Sequence, residues 1–241
     1  MCGIVGYIGN KEASKIIIDG LKRLEYRGYD SAGISTIQNN SILTTKYKGK
    51  VQYLEDNLKS NSHSGIIGIG HTRWATHGKP SNQNSHPHNN INNKITLVHN
   101  GIIENHYTLK KYLVSKGYTF KSETDTEVLV QLIDYIHKKQ NGDFVESVRI
   151  ALHEVVGTYG IVLMSEDEPD KLIAARLGSP LIIGIGENEY FIASDSSPII
   201  EHTRNIVVLD EGEMAIIKKD EYEIRKIENN DLVDKEIEKI E

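Results

Sequence analysis

Cys2 is the only cysteine of the chain and directly follows Met1. Removal of the initiator methionine, which is usual before a small side chain, would leave a thiol and a free α-amino group on one residue. An α-amino group titrates near about pH 7.7–8.0, so it can take the proton of the thiol as a general base. This is the terminal-amine form of nucleophile activation, and it fails if Met1 is retained. Taken alone, a buried and unreactive cysteine is the more common occurrence.

Three other sites carry groups suited to a small zwitterion or a developing negative charge. Arg73 follows a predicted strand, and its planar guanidinium fits a carboxylate bidentately. Asn100-Gly101 offers a side-chain N–H and an unobstructed backbone N–H, the donors of an oxyanion hole, although Asn-Gly is also a common turn. Asp125 opens a predicted helix, where it can hold an ammonium group or simply favour the helix terminus.

Six of the ten histidines lie between residues 71 and 106, which raises the alternative of a zinc site. The cluster contains no His-Glu-x-x-His motif and no cysteine, and His86-Pro87-His88 is poorly spaced for one helical face. We therefore expect no metal. Gly184 and Gly186 lack the third glycine of a dinucleotide fingerprint, so we expect no organic cofactor there.

The composition is that of a soluble globular protein. The 241 residues are 38% hydrophobic and 26% charged, and the net charge of −6 argues against a nucleic-acid-binding protein. No apolar stretch approaches the roughly 18 residues of a membrane span, so we expect no membrane association. A single cysteine excludes a disulfide framework and suits a reducing compartment, which predicts a cytoplasmic protein.

The periodicity of apolar residues predicts helices over 11–24 and 126–138, with shorter ones over 51–59, 106–116 and 143–155. Short runs bounded by turn residues predict many strands. These runs are 4–8, 32–38, 42–48, 66–74, 95–99, 158–165, 171–177, 181–185, 189–194, 206–209, 213–218 and 221–227. Since no regular βαβ alternation occurs, the pattern predicts an α+β layered sandwich. We expect one domain over residues 1–227 and a charged linker over 228–241.

Six blocks of the sequence, taken together and in order, resemble one family. They are 1–6, 24–33, 71–78, 86–88, 99–106 and 122–128. They are similar to the glutaminase domains of glutamine–fructose-6-phosphate aminotransferases (glucosamine-6-phosphate synthases), which belong to the N-terminal-nucleophile hydrolases. The resemblance covers nearly the whole chain, and it implies a four-layer αββα sandwich of two antiparallel sheets.

The resemblance also implies a function and a role for each matching residue. Cys2 would attack the side-chain amide of L-glutamine and release ammonia, with Asn100 and Gly101 stabilising the oxyanion. Arg73 would bind the α-carboxylate of glutamine and Asp125 its α-ammonium group. The remaining residues would line the pocket on a closing loop (Trp74, Thr76, His77), position the chain terminus (Arg27, Gly28) or lie nearer the synthase half (His86).

The same resemblance implies partners that this chain does not contain. Ammonia would pass to a sugar-isomerase half, which converts fructose-6-phosphate to glucosamine-6-phosphate, and the full-length enzyme would be a homodimer. No cofactor, nucleic acid or membrane would take part.

Alternatives remain at this point. The amidotransferase of purine synthesis and glutamine-dependent asparagine synthetase share several of these features. The amino acids at 26–30 and 73–78 nevertheless favour the glucosamine-6-phosphate synthases. A different class is a non-catalytic module that senses glutamine, or a metal through the histidines, and leaves Cys2 unreactive.

Overall fold

The computed structural model describes residues 2–74, 78–140 and 142–240, so the predicted pocket residues Thr76 and His77 lie outside the described residues. Five α-helices lie within them: α1 (Ala13–Leu24), α2 (Val51–Leu58), α3 (His106–Ser115), α4 (Asp125–Lys139) and α5 (Phe144–His153); a 3₁₀ helix spans Glu25–Arg27. The described strands are β1 (Gly3–Ile8), β2 (Ser31–Gln38), β3 (Ser41–Lys48), β4 (Ile67–Arg73), β5 (His88–Asn89), β6 (Ile95–Ile103), β7 (Gly157–Ser165), β8 (Lys171–Leu177), β9 (Ile182–Ile185), β10 (Tyr190–Ala193), β11 (Asn205–Val208), β12 (Glu213–Lys218), β13 (Tyr222–Lys226) and β14 (Glu238–Lys239).

These strands form two antiparallel sheets. The first has eight strands in the order β14-β11-β9-β10-β1-β4-β2-β3, and the second has six in the order β13-β12-β8-β7-β6-β5. Strand β1 therefore lies inside the first sheet, between β10 and β4. Strand β6 pairs along its whole length with β7 in the second sheet.

Three apolar clusters separate four layers. One joins α1 and α2 to the first sheet, one fills the space between the sheets, and one joins the second sheet to α3–α5. Successive strand residues alternate between them, as the pleat of a strand requires. Val5 faces the helices while Ile4 faces the other sheet, and Leu97 and Val98 divide in the same way. The predicted αββα sandwich of two antiparallel sheets is confirmed.

Helix α4 begins where the sequence predicts it. The hydroxyl of Thr124 accepts a hydrogen bond from the amide of Glu127, which satisfies one of the free N–H groups at the helix start. With 15 residues, α4 is the longest helix described. None of the helices in the described part of the chain has the length and apolar character needed to cross a membrane.

Strand β6 differs from its predicted extent in a way that matters for the site. The sequence predicts a strand over 95–99, but β6 continues to Ile103 and pairs Gly101 with Tyr159. The turn interpretation of Asn-Gly is therefore wrong. Gly101 has a φ of +124°, and a Cβ there would stand 2.2 Å from the carbonyl oxygen of Thr158. Only glycine fits this strand position.

The charged segment predicted as a linker lies against the domain over residues 228–240. Strand β14 pairs with β11 at the edge of the first sheet, and the amide of Ile240 donates to the carbonyl of Arg204 at 2.9 Å. Lys235 reaches the carboxylate of Glu213 at 2.9 Å.

Candidate active site

The start of β1 and the end of β4 bring Cys2 beside Arg73 and Trp74. The two strands are antiparallel neighbours, and their register places Gly3 opposite Thr72. The residue before β1 and the residues that end β4 therefore meet at one edge of the first sheet. Side chains from positions about 70 residues apart in the sequence share this edge because the strands pair.

The Cys2 thiol lies against the backbone of Trp74. The Trp74 amide donates to Sγ at 3.2 Å, and the thiol approaches the Trp74 carbonyl oxygen at 3.5 Å. Burial raises the pKa of the Cys2 thiol above its ordinary value, while the Trp74 amide and the charge of Arg73 act in the opposite direction without cancelling it. A thiol of raised pKa needs a base to become a nucleophile.

Strand β6 brings an amide donor to Cys2 from the second sheet. Nδ2 of Asn100 donates to the carbonyl oxygen of Cys2 at 3.1 Å. Oδ1 of the same amide lies 3.0 Å from Nε2 of His71, which is on β4. Asn100 therefore bridges the two sheets at the position of the thiol, with Gly101 next to it on the strand.

A cavity of about 340 Å³ opens at the thiol. The described residues that line it come from both sheets and their connecting loops: Cys2, Arg27, Trp74, Asn100, Gly101, Ile102, Thr158, Ser179, Pro180 and Ser194. The thiol and the amide donors thus face one space. This volume is at the small end of ligand pockets, which suits a ligand of amino-acid size.

Arg73 and Asp125 are buried and do not line this cavity. Arg73 is 3% exposed, and its Nη2 donates to the carbonyl of Gly78 at 3.4 Å. Asp125 is 5% exposed, and its Oδ2 accepts the amide hydrogen of Ile103 at 2.8 Å. Burial lowers the pKa of Arg73, and the nearby Cys2 and Asp125 partly offset this. The two opposite charges therefore lie close enough to Cys2 and to each other to interact.

The segment that contains Arg27 and Gly28 supports the end of β4. Arg27 forms an ion pair with Asp195 at 2.9 Å and donates to the carbonyl of Ser194 at 3.3 Å. A Cβ on Gly28 would stand 2.8 Å from the backbone of Arg73, so this close approach requires glycine. Asp195 gave no signal in the sequence, since it lies in a Ser/Asp loop with no distinctive pattern.

His86 lies deep in the protein, behind the cavity. Its ring stacks on His71 with centroids 4.2 Å apart and meets His88 edge-on at 4.8 Å. Sequence reasoning assigned His71 no role of its own, although it is one of the six histidines between residues 71 and 106. Within residues 2–74, 78–140 and 142–240, no group of three or more His, Cys, Asp or Glu side chains is arranged to hold a metal ion.

The fold and this site define a class. Two antiparallel sheets between helical layers, with the thiol of Cys2 beside amide donors, are the architecture of the N-terminal-nucleophile amidotransferases. The solved glutamine phosphoribosylpyrophosphate amidotransferase of B. subtilis shares it with a TM-score of 0.80 and 29% identity, over 95% of this chain and 50% of that one.

The chain belongs to the glutamine amidotransferase family. The family described as "Glutamine amidotransferase domain" matches residues 71–214. The chain is 56% identical over 220 residues to the glutamine–fructose-6-phosphate aminotransferase [isomerizing] of Clostridium tetani, covering 91% of this chain and 36% of that protein. It is 53% identical over 233 residues to the corresponding protein of Chlorobaculum tepidum, covering 95% and 38%. The chain thus spans little more than a third of the length of these curated relatives.

Proposed function

We propose that this chain hydrolyses the side-chain amide of L-glutamine to glutamate and ammonia, with Cys2 as the nucleophile. The observation that carries the proposal is the 3.1 Å hydrogen bond from Nδ2 of Asn100, on a strand of the second sheet, to the backbone carbonyl oxygen of Cys2, the residue before β1. Acyl transfer needs a nucleophile and a donor for the oxyanion, and here a thiol and an amide donor belong to residues that line one cavity of amino-acid size.

The proposed reaction begins with Met1 removed. The α-amine of Cys2 takes the thiol proton, and the sulfur attacks the amide carbon, whose π electrons move to the oxygen. Nδ2 of Asn100 and the backbone N–H of Gly101 stabilise this oxyanion. The C–N bond then breaks, and the protonated amine returns its proton to the leaving nitrogen, which departs as ammonia. Water cleaves the thioester by the same steps, which releases glutamate and the thiol.

Glutamine recognition is proposed to rest on its two fixed charges. Arg73 takes the α-carboxylate and Asp125 the α-ammonium group, which together select a zwitterion over a simple amide. In this structure Nη2 of Arg73 donates to the carbonyl of Gly78 at 3.4 Å, which uses one of the five N–H donors of the guanidinium. Trp74, Thr76 and His77 are proposed to line the pocket, and Arg27 and Gly28 to hold the chain terminus.

The relatives extend this proposal beyond the chain. We propose that the ammonia serves the conversion of fructose-6-phosphate to glucosamine-6-phosphate, carried out by a sugar-isomerase half joined to this domain or supplied as a partner. Residues 228–241 are proposed to lead toward that half, with His86 on the side nearer to it, in a homodimeric enzyme. The single cysteine supports a cytoplasmic location. No cofactor, metal, nucleic acid or membrane enters the proposal.

One experiment tests both the nucleophile and its base. The intact mass of the purified chain reports whether Met1 is absent, and a coupled glutamate assay on the same sample reports glutamine hydrolysis. An electrophilic glutamine analogue, 6-diazo-5-oxonorleucine, should then add once per chain, at Cys2. We expect a processed, active chain that loses activity in proportion to labelling.

Three results would contradict this proposal. Full activity with Met1 retained would remove the α-amine of Cys2 from the mechanism. Glutamine binding without hydrolysis or labelling would favour a sensing module with an unreactive Cys2. Zinc bound at one atom per chain would instead favour the metal-sensing form of that alternative.

A further inference from the structure

Four buried histidines lie behind the cavity, and the proposed mechanism uses none of them. We call His71, His86, His88 and His99 the histidine cluster; all four are at most 5% exposed. They come from β4, from the loop before β5, from β5 and from β6, so the cluster fills the space between the sheets next to Cys2. One member contacts the candidate oxyanion donor directly.

We propose that His71 is a positioning residue for amide hydrolysis, which holds Oδ1 of Asn100 so that Nδ2 is directed at the oxygen that becomes the oxyanion. This inference rests on the proposed function, because it assigns His71 a task in that reaction. His71 itself touches neither the thiol nor, in the proposed mechanism, the substrate. It acts through Asn100.

The hydrogen bonds around His71 determine its tautomer. Nε2 lies 3.1 Å from the carbonyl oxygen of His99 and 3.0 Å from Oδ1 of Asn100. A carbonyl oxygen only accepts, so Nε2 carries the hydrogen. Nδ1 is buried and has no hydrogen-bond partner among the described residues, as expected of a ring nitrogen without a hydrogen. Burial holds the pKa of His71 at about 3, so the ring stays neutral near pH 7.

This tautomer permits only one orientation of the Asn100 amide. In the observed orientation, Oδ1 accepts from His71 and Nδ2 donates to the carbonyl of Cys2 at 3.1 Å. A flipped amide would set its NH₂ group against the N–H of His71 and its oxygen against the Cys2 carbonyl oxygen. Both contacts would then be repulsive, so the flipped amide is disfavoured. His71 and Cys2 therefore select the same orientation from opposite sides.

The rest of the cluster holds the His71 ring and His99 in place. His86 stacks on His71, with ring planes 13° apart, and accepts the backbone N–H of His99 at Nδ1. The Nδ1 atom of His99 lies 2.9 Å from the hydroxyl of Thr126. Burial lowers the pKa of His86 and His88 well below the ordinary value, so these rings add hydrogen bonds without adding positive charge beside the thiol.

The test replaces His71 with Gln or with Asn, two amide side chains of different length. The side-chain nitrogen of Gln can occupy the position of His Nε2, whereas that of Asn corresponds to Nδ1 and falls short of Asn100. We expect His71→Asn to lower kcat for glutamine hydrolysis by about 10- to 100-fold, as misplacement of a catalytic group does, with KM little changed. His71→Gln should restore most of the kcat. A role in folding alone would not distinguish these two variants in this way.

A double-mutant cycle then asks whether His71 works through Asn100. Against the background of Asn100→Ala, the further change His71→Asn should alter kcat by no more than about twofold, because the group that it positions is gone. Should the two losses multiply, or should His71→Asn alone keep the wild-type kcat, the positioning role is excluded.

A spectroscopic measurement separates this proposal from the proposed function. In ¹H–¹⁵N spectra, the side-chain NH₂ of Asn100 should be a protected, single species in the wild type and in His71→Gln. In His71→Asn it should shift and exchange faster with water. An unchanged signal would overturn the positioning role even if the wild type hydrolyses glutamine, whereas a changed signal in a chain without hydrolysis would contradict only the proposed function.

Discussion

Two buried polar regions lie at the same end of the second sheet and are built in opposite ways. The first is the histidine cluster with Asn100, where imidazole rings make the hydrogen bonds and burial lowers the pKa of His71, His86 and His88. The second, which we call the Glu213 network, consists of Glu213, Lys226 and Lys235. The strand register places Asn100, Gly160, Arg176, Glu213 and Lys226 in one row across β6, β7, β8, β12 and β13.

The Glu213 network is held by charge. The Glu213 carboxylate is 1% exposed, and it binds Lys226 at 2.8 Å and Lys235 at 2.9 Å. It also accepts the amide hydrogen of Asp210 at 2.7 Å. A buried carboxylate is tolerated only with such partners, because its desolvation is costly. Through Lys235, this network attaches the segment 228–240 to the rest of the domain.

The difference shows what each region can contribute. The neutral ring of His71 fixes the direction of Asn100 without placing a permanent charge behind the oxyanion that is to form. A charged network stabilises the fold but depends on pH. We therefore expect changes beside the histidine cluster to affect turnover and changes in the Glu213 network to affect stability, and four variants test this division.

The largest expected effect comes from Cys2→Ala. Removal of the proposed nucleophile should lower kcat by about 10⁴-fold or more, as nucleophile loss does in hydrolases. Glutamine should still bind, since Arg73 and Asp125 remain. Activity is measured by glutamate release and binding by calorimetry. A variant that still hydrolyses glutamine at the wild-type rate would show that another group carries out the reaction.

Asn100→Ala is expected to have the second-largest effect. Loss of one oxyanion donor should lower kcat by about 10²–10³-fold with a small change in KM. The melting temperature, measured by differential scanning calorimetry, serves as the control for folding. An effect confined to KM would show that Asn100 binds substrate and does not stabilise the oxyanion. The proposed positioning role of His71 would then be wrong as well.

Arg73→Lys should act mainly on binding. A lysine keeps the positive charge but loses the bidentate geometry, so KM should rise by about 10- to 100-fold, in line with loss of a hydrogen bond to a charged group. Steady-state kinetics over a wide glutamine range separate KM from kcat. An unchanged KM would take Arg73 out of glutamine recognition.

Glu213→Gln is expected to leave kcat unchanged and to lower the free energy of unfolding by about 1–3 kcal/mol, since Lys226 and Lys235 lose their carboxylate. Urea unfolding measures this loss. If Glu213→Gln instead lowered kcat and left the free energy of unfolding unchanged, the proposed difference between the two regions would be wrong.

The same network predicts a pH dependence of stability. Burial raises the pKa of Glu213, but Lys226, the Asp210 amide and Lys235 outweigh it and hold the pKa below its ordinary value. Because the folded-state pKa is the lower one, this stabilisation is fully present above about pH 4.5, where the unfolded side chain is ionised, and is lost as the pH falls through the folded-state value. The difference in stability between wild type and Glu213→Gln should therefore shrink on acidification, whereas a constant difference would contradict it.

The sequence predicted much of the architecture because its signals are local. The two longer helices, predicted from the 3.6-residue spacing of apolar residues, and the three shorter ones all lie within a few residues of their predicted bounds. The roles assigned to Cys2, Arg73, Asn100 and Asp125 came from the family resemblance, and they stay predictions. Local chemistry alone favoured an unreactive cysteine at Cys2.

What the sequence missed depends on strand pairing. Asn-Gly has a strong local preference for a turn, but nine pairs with β7 carry β6 through it. His71 belongs to the six histidines between residues 71 and 106 and to the block 71–78, but neither gave it a role of its own, and Glu213 at the start of a short strand gave no signal.

The amino-acid sequence by itself determined the helices, most of the strands, the layered class and the set of groups able to do chemistry, because each of these depends on neighbours a few residues apart. Only the tertiary structure decided that Asn100 faces Cys2, that His71 stands behind Asn100, and that Glu213 is neutralised by Lys226 and Lys235. These contacts join residues brought together by sheet pairing and layer stacking, and no local pattern encodes the register that makes them.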